Sequence, residues 1–202
     1  KGQSKPQVFG KVRNAEPFLV NTQTNIYQVH DFENYPSVSV SVVSVYDKGV
    51  LLTLHTAYTT LVDFLANQPP AGQFNTYNGY FRLHTAPTGQ VTCDADSSIF
   101  LLGDVFNLIA VQAGYTLSSS DITTFNSFGE VGIYLTQEQS TSSLLDLLAQ
   151  SVGAYWYFDT PTITRLKQLV APASPTIFIE DYQIVDISRE KTGAGSNGIP
   201  IY

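Results

Sequence analysis

The chain has 202 residues, 43% of them hydrophobic and only 13% charged, about half the charged share of an ordinary soluble domain. That composition excludes extensive intrinsic disorder, and the length allows one large domain or two small ones with a real core. Ten Lys and Arg against 17 Asp and Glu give a net charge of −7 with no basic stripe, which excludes a nucleic-acid partner.

No apolar leader opens the sequence, and its most apolar run, residues 99–111, is too short and too polar to span a bilayer, so no membrane insertion is expected. Because the first residue is not Met, the chain reads as a piece of something longer. A single cysteine, Cys93, permits no internal disulfide, and with three histidines and no Cys-x-x-Cys no metal site and no cofactor are expected.

In chain order, Ser37-Val-Ser-Val-Ser-Val42 alternates as a half-buried strand, and Val43-Ser-Val45 shifts that period by one residue, which predicts a bulge near Val42–Val43. Asp47-Lys48-Gly49 predicts a three-residue hairpin loop with residues 50–54 as the return strand. Residues 58–65 carry Leu61, Phe64 and Leu65 at helical spacing and stop before Pro69-Pro70. Asn78-Gly79 predicts a tight hairpin between residues 73–77 and 80–83, and Ala86-Pro-Thr-Gly89 a third hairpin leading to residues 90–94.

After Asp96 the texture changes, and this sets the expected boundary between a β-rich module, 1–96, and an α+β domain, 97–202. Ile99, Leu102, Phe106, Ile109 and Ala113 lie on one helical face, with Gly114 as the stop. A short helix is expected from Ser119-Ser-Asp121 to Phe125, and a strand over residues 131–135. Ser143-Leu-Leu-Asp146 resembles a capping box that opens a helix with Leu144, Leu147, Leu148 and Val152 as its buried stripe. An aromatic strand, Ala154-Tyr-Trp-Tyr-Phe158, a turn at Asp159-Thr-Pro161 and a return strand over residues 163–169 make a hairpin. Further strands are expected at residues 177–179 and 184–187, and a loop at residues 192–198. The fold class is α+β, hairpins first and a helix–hairpin part after them.

Catalytic chemistry finds little support. Gly193-Ala-Gly195-Ser-Asn-Gly198 matches a dinucleotide fingerprint in letters, but Ile199-Pro200-Ile201 cannot open the helix that such a site needs. There is no G-x-S-x-G elbow, and His30 beside Asp31 reads as a surface or turn histidine, since strand neighbours point to opposite faces. Glu130, Glu138, Asp146, Asp159, Glu180 and Asp181 are the carboxylates from which a glycosidase pair would be drawn, with capping of Asp146 and a turn at Asp159 as simpler explanations. No enzyme activity is expected. The candidate interaction residues are Tyr155, Trp156 and Tyr157: one aromatic pair belongs to the core, and the other makes a subunit contact or, less favoured, a sugar-stacking platform.

The order of segments Tyr27-Gln-Val-His-Asp31, Val45-Tyr-Asp-Lys-Gly-Val50, Gly79-Tyr-Phe-Arg-Leu83 and Pro87-Thr-Gly-Gln-Val-Thr92 resembles that of tail proteins of phages and prophages. The helix over residues 99–113 ending in Ala-Gly-Tyr115, the block from Ser143 to Phe158, and the return strand with Thr164-Arg165-Leu166-Lys167 are similar to the tail-hub family, and the resemblance runs from about residue 8 onward. It implies a structural virion component made in the bacterial cytoplasm. Such a part sits at the hub or tip of the tail and joins the tube to a spike or fibres. Its partners are other tail proteins and further copies of itself, a trimeric ring in the complete protein and a monomer or weak associate in this chain. Hub relatives continue beyond the point matching Tyr202. The alternative is a host-surface carbohydrate-binding module of a tail adhesin.

Overall fold

A computed structural model describes residues 4–33 and 37–171 of the chain. The expected strands at residues 177–179 and 184–187, the glycine-rich loop, Glu180 and Asp181 lie outside them. In chain order the elements are β1 (Gln7–Ala15), β2 (Phe18–Asn21), β3 (Ile26–Gln28), β4 (Val40–Asp47), β5 (Val50–Leu51), β6 (Thr53–Ala57) and α1 (Leu61–Ala66). Then come β7 (Gln73–Tyr77), β8 (Tyr80–Leu83), β9 (Val91–Ser97), α2 (Leu102–Gln112), β10 (Thr116–Leu117) and α3 (Ser119–Asn126). The last are β11 (Gly132–Leu135), α4 (Thr141–Ser151), β12 (Ala154–Phe158) and β13 (Ile163–Gln168). The chain is α+β with its β-rich part first, as its hydrophobic periods require.

Two five-stranded sheets hold the strands of the first half together with β11, in the orders β11-β1-β9-β4-β5 and β2-β3-β8-β7-β6, and β10-β13-β12 form a third, smaller sheet. β9 shows the clean alternation of a strand buried on one face only. Chain continuity knits the two large sheets at both ends, since β1 leads into β2 of the other sheet and β5 into β6. Val42, Val45, Cys93 and Ala95 from one sheet, and Tyr27, Phe74, Phe81 and Leu83 from the other, share a single core with Leu102, Val105 and Phe106 of α2 and Leu144, Leu145 and Leu148 of α4.

That shared core overrides the boundary expected at residue 96. Lys1–Leu169 is one compact unit, distinct from Val170–Tyr202. The change of texture falls at the end of β9, a strand in the middle of its sheet, and β11 from the second half pairs antiparallel with β1. The β1–β11 approach is unusually close. Gly10 opposes Gly132, and a Cβ at either position would collide with backbone, that of Val131 or of Lys11 respectively. Gly10 also has φ +75°, a conformation that side chains disfavour.

Local signals fared unevenly. The bulge forms where the period shifted, between Val42 and Ser44 of β4. Asn78-Gly79 makes its tight turn, with both residues at positive φ. The Lys48-Gly49 turn has two residues rather than three, because Asp47 pairs directly with Val50. Its return strand divides: residues 50–51 stay with β4, and after Leu52 the chain crosses to the other sheet and runs parallel to β7. The third expected hairpin is absent, for β9 pairs with β1 and β4 and not with β8. Asp47 holds that crossing loop, accepting hydrogen bonds from the Thr88 and Gly89 amides at 2.8 and 2.9 Å.

In α4 the cap is Ser140, whose hydroxyl accepts from the Ser143 amide at 3.2 Å, rather than Ser143. The buried stripe is accordingly Leu144, Leu145, Leu148 and Ala149, and Leu147 faces solvent. The helix expected from Ile99 begins at Leu102, because Leu101 bridges to Glu130 in an extended conformation, and Gly114 ends it at φ +83°.

Candidate functional site

The aromatic strand β12 lies antiparallel to β13, with Tyr155 opposite Lys167, Trp156 opposite Leu166 and Tyr157 opposite Arg165. Alternation divides the strand's aromatics between two faces. Trp156 packs edge-on to Phe106 of α2 at 6.4 Å and to Phe158 at 5.3 Å, and its indole Nε1 donates to Asp146 Oδ1 at 2.7 Å. Asp146 is therefore not a helix cap: it sits in the middle of α4 and anchors the hairpin. Tyr155 and Tyr157 face the other way, exposed and stacked with ring centroids 6.1 Å apart. Their cross-strand neighbours Lys167 and Arg165, together with the exposed Ile163, complete that outward face.

Both cations of the face turn toward one buried carboxylate. Asp121 of α3, 4% exposed, accepts from Arg165 Nε at 2.8 Å, Lys167 Nζ at 3.1 Å and the Leu166 backbone amide at 3.1 Å. Burial alone would push this carboxyl up, but the hydrogen bonds from Arg165, Leu166 and Lys167 outweigh it and bring it down to about 2. The carboxylate takes up the β13 amide just beyond the last residues paired with β10, so it finishes the small sheet as well as neutralising the two cations. The sequence expected Asp121 near the start of α3 but gave no sign of this role.

The remaining candidates are structural in their surroundings. His30 is fully buried rather than on the surface; its Nδ1 accepts from the Val8 amide at 3.1 Å, and burial lowers its pKa to about 4 against a weaker upward pull from Asp31. His30 is buried because it follows the buried strand β3 and packs its Cβ against Gly79, a neighbour 49 positions away that local sequence does not mark. His55 Nδ1 lies 3.1 Å from Asn75 Oδ1, and His84 Nδ1 donates to the Pro69 carbonyl at 2.7 Å. Asp159 stands in its turn, 3.4 Å from Arg165. Glu130 pairs with Lys11 at 2.6 Å, and Glu138 lines a different groove from the one that Glu130 lines. Burial pushes the Cys93 thiol up to about 12. Among the described residues no three His, Cys, Asp or Glu side chains gather as metal ligands would.

Among the described residues another unpartnered feature lies along the sheet edges. In the second large sheet β2 and β6 are the terminal strands, and neither pairs outward among the described residues. Neither carries a Lys, Arg, Asp, Glu or Pro, so shortness and one register shift in each, between Leu19 and Asn21 and between Leu54 and Thr56, are what sets these edges apart from open, flat strands. Leu19 and Val20 on β2, Leu54 on β6, and Val50 and Leu51 on adjoining β5 are all exposed. Beside β2 an apolar groove of about 270 Å³ runs between Val20, Ile26 and Phe32 and the α1 side chains Leu61, Phe64 and Leu65.

No helix among the described residues is long and apolar enough to cross a membrane. No family model matches the chain, and no curated protein and no solved structure is significantly similar to it.

Proposed function

We propose that this chain is a structural assembly part, a component of the distal hub or tip of a phage tail or phage-derived particle, which joins copies of itself and other tail proteins. The tail assignment rests on the sequence resemblance of residues 8 onward. The assembly assignment rests on one observation: a five-stranded sheet whose two terminal strands are uncharged, leucine-bearing and open among the described residues. Uncharged apolar edges, even short ones, offer unpaired backbone groups to a strand of a partner. A tube end has rotational symmetry, and identical subunits satisfy unlike edges most simply by closing a ring.

Light scattering on the chain, and on the longer protein if it extends beyond Tyr202, tests this. The expected result is concentration-dependent association of the chain and a closed ring, threefold, of the longer protein. A protein that stays monomeric at every concentration, even with a tail-tube partner present, refutes it.

A second reading is supported by the outward face of β12. Tyr155 and Tyr157, stacked and exposed beside Lys167, offer the flat aromatic surface on which a sugar ring packs. Binding on a glycan array that is lost in Tyr155→Ala and Tyr157→Ala would favour the adhesin reading.

A further inference from the structure

The register of the second large sheet defines its two faces row by row. Leu54 of β6 stands opposite Phe74, which stands opposite Leu83; Thr76 stands opposite Phe81, Phe81 opposite Tyr27, and Tyr27 opposite Leu19 of β2. Paired residues project to the same face. Phe74, Leu83, Phe81 and Tyr27 are buried members of the core, so Leu19 and Leu54 both lie on the core-facing side of the sheet. Each is nevertheless 45% exposed, because each ends its row. Among the described residues the same apolar layer is left unfinished at both edges.

Strand directions decide how the two edges can meet. β6 runs parallel to β7, while β7, β8, β3 and β2 alternate in antiparallel order, so β6 and β2 run in opposite directions. In a ring whose axis follows the strands every copy keeps the same strand sense. The β6 of one copy therefore meets the β2 of the next as an antiparallel pair, the commoner of the two pairings. The strands are five and four residues long. Leu54 and Leu19 stand in rows two residues apart, and a closed sheet needs a register stagger of that kind.

We propose that β6 of one copy adds to β2 of a second copy in antiparallel register, with Leu54 packing against Leu19 so that the sheet continues from subunit to subunit. This rests on the assembly reading above and gives it a junction. The contact is heterologous, edge against unlike edge, and needs no third element to complete it.

Cysteine pairing tests it. Leu19→Cys and Leu54→Cys chains are made separately, mixed and mildly oxidised; the native Cys93 is buried with its thiol held protonated and does not compete. Cross-linking of the mixed pair is expected to be faster, by about tenfold or more, than that of either variant alone or of Leu54→Cys mixed with the exposed control Val62→Cys, because docking raises the local concentration of the two thiols. Leu54→Lys is expected to weaken association in light scattering without lowering the melting temperature of the monomer.

Cross-linking of Leu54→Cys with itself at an equal rate would mean that like edges pair, and overturns the proposal. So does association that persists in Leu54→Lys with no preference for the mixed pair, which leaves the assembly reading standing with another surface. A chain that neither associates nor cross-links above the control overturns both.

Discussion

Replacing Asp121 by Asn removes the charge that holds Arg165 and Lys167 while keeping an oxygen to accept from the Leu166 amide. The carboxyl sits at about 2 in the folded chain against an ordinary 3.8, a shift that corresponds to about 2.5 kcal/mol of folding stability at neutral pH. Solvent screening reduces the figure, since the partner side chains Arg165 and Lys167 are 25% and 41% exposed. A depressed carboxylate stabilises above its unfolded pKa, and the contribution is lost as pH falls through the folded value. Asp121→Asn is therefore expected to be about 1 to 2 kcal/mol less stable near neutrality, and the gap to close between about pH 4 and about pH 2. Urea unfolding followed by Trp156 fluorescence at a series of pH values measures it. Asp121→Ala adds the cost of an unsatisfied Leu166 amide, about 1–3 kcal/mol more. A gap that is as wide at the acid end as at neutrality would show that the ionised carboxylate is not what holds β13 to α3, and would refute the reasoning.

The buried His30 acts in an adjoining window: with its pKa lowered from 6.5 to about 4, it lets stability stand above pH 6.5 and drains it, by up to about 3 kcal/mol, as pH falls toward 4. A His30→Gln chain whose urea midpoint has the same slope over that range as the parent would disprove this. Trp156→Ala is expected to cost about 2–3 kcal/mol, less than a fully buried tryptophan, because the ring is only partly covered by Phe106 and Phe158; chemical unfolding measures the loss. Gly10→Ala forces a Cβ into the Val131 backbone and should cost at least about 3 kcal/mol, with hydrogen exchange accelerated in β11; unchanged exchange there would contradict the close strand approach.

Much of the fold was legible because short-range signals acted alone. The period slip at Val43 and the Asn78-Gly79 turn specify a bulge and a hairpin without help from distant residues. The errors lie where distant pairing decides. Residues 50–54 read as one return strand, yet Leu52 donates its amide to Val45 while Thr53 donates to Gly72, so the chain leaves one sheet for the other. Residues 86–90 contain good turn formers, but Asp47 captures the Thr88 and Gly89 amides and turns the chain across the molecule. Neither capture has a signature in local sequence. The division at residue 96 failed for the same reason, since composition changes there but the core does not. At the hairpin, alternation separated Tyr155 and Tyr157 from Trp156 correctly, whereas the Asp146 and Asp121 contacts join residues 10 and more than 40 positions apart and only the fold brings them together.

The low charge content is spent in a consistent place. Lys5 pairs with Asp31 and Glu33, Lys11 with Glu130, Arg13 with Asp96, and Arg165 and Lys167 with Asp121, while Arg82 donates to the Leu65 carbonyl at the end of α1. These cations lie within the unit, on β1, β8 and β13 and in the segment before β1, tying strands to their own neighbours. The terminal strands β2 and β6, where a lysine or an inward-pointing carboxylate would most cheaply prevent edge pairing, receive none. A chain with only 13% charged residues could still have guarded four or five edge positions. Leaving them neutral, with leucines on the core-facing side, lowers the cost of removing those edges from water: no ion has to be desolvated, and the backbone groups exchange water for partners of the same kind. The affinity of such a junction comes from a short ladder and a few side chains, so each contact is weak. In the proposed ring, closure would compensate for that weakness, because every subunit would be held at two edges and lose both only when the ring opens.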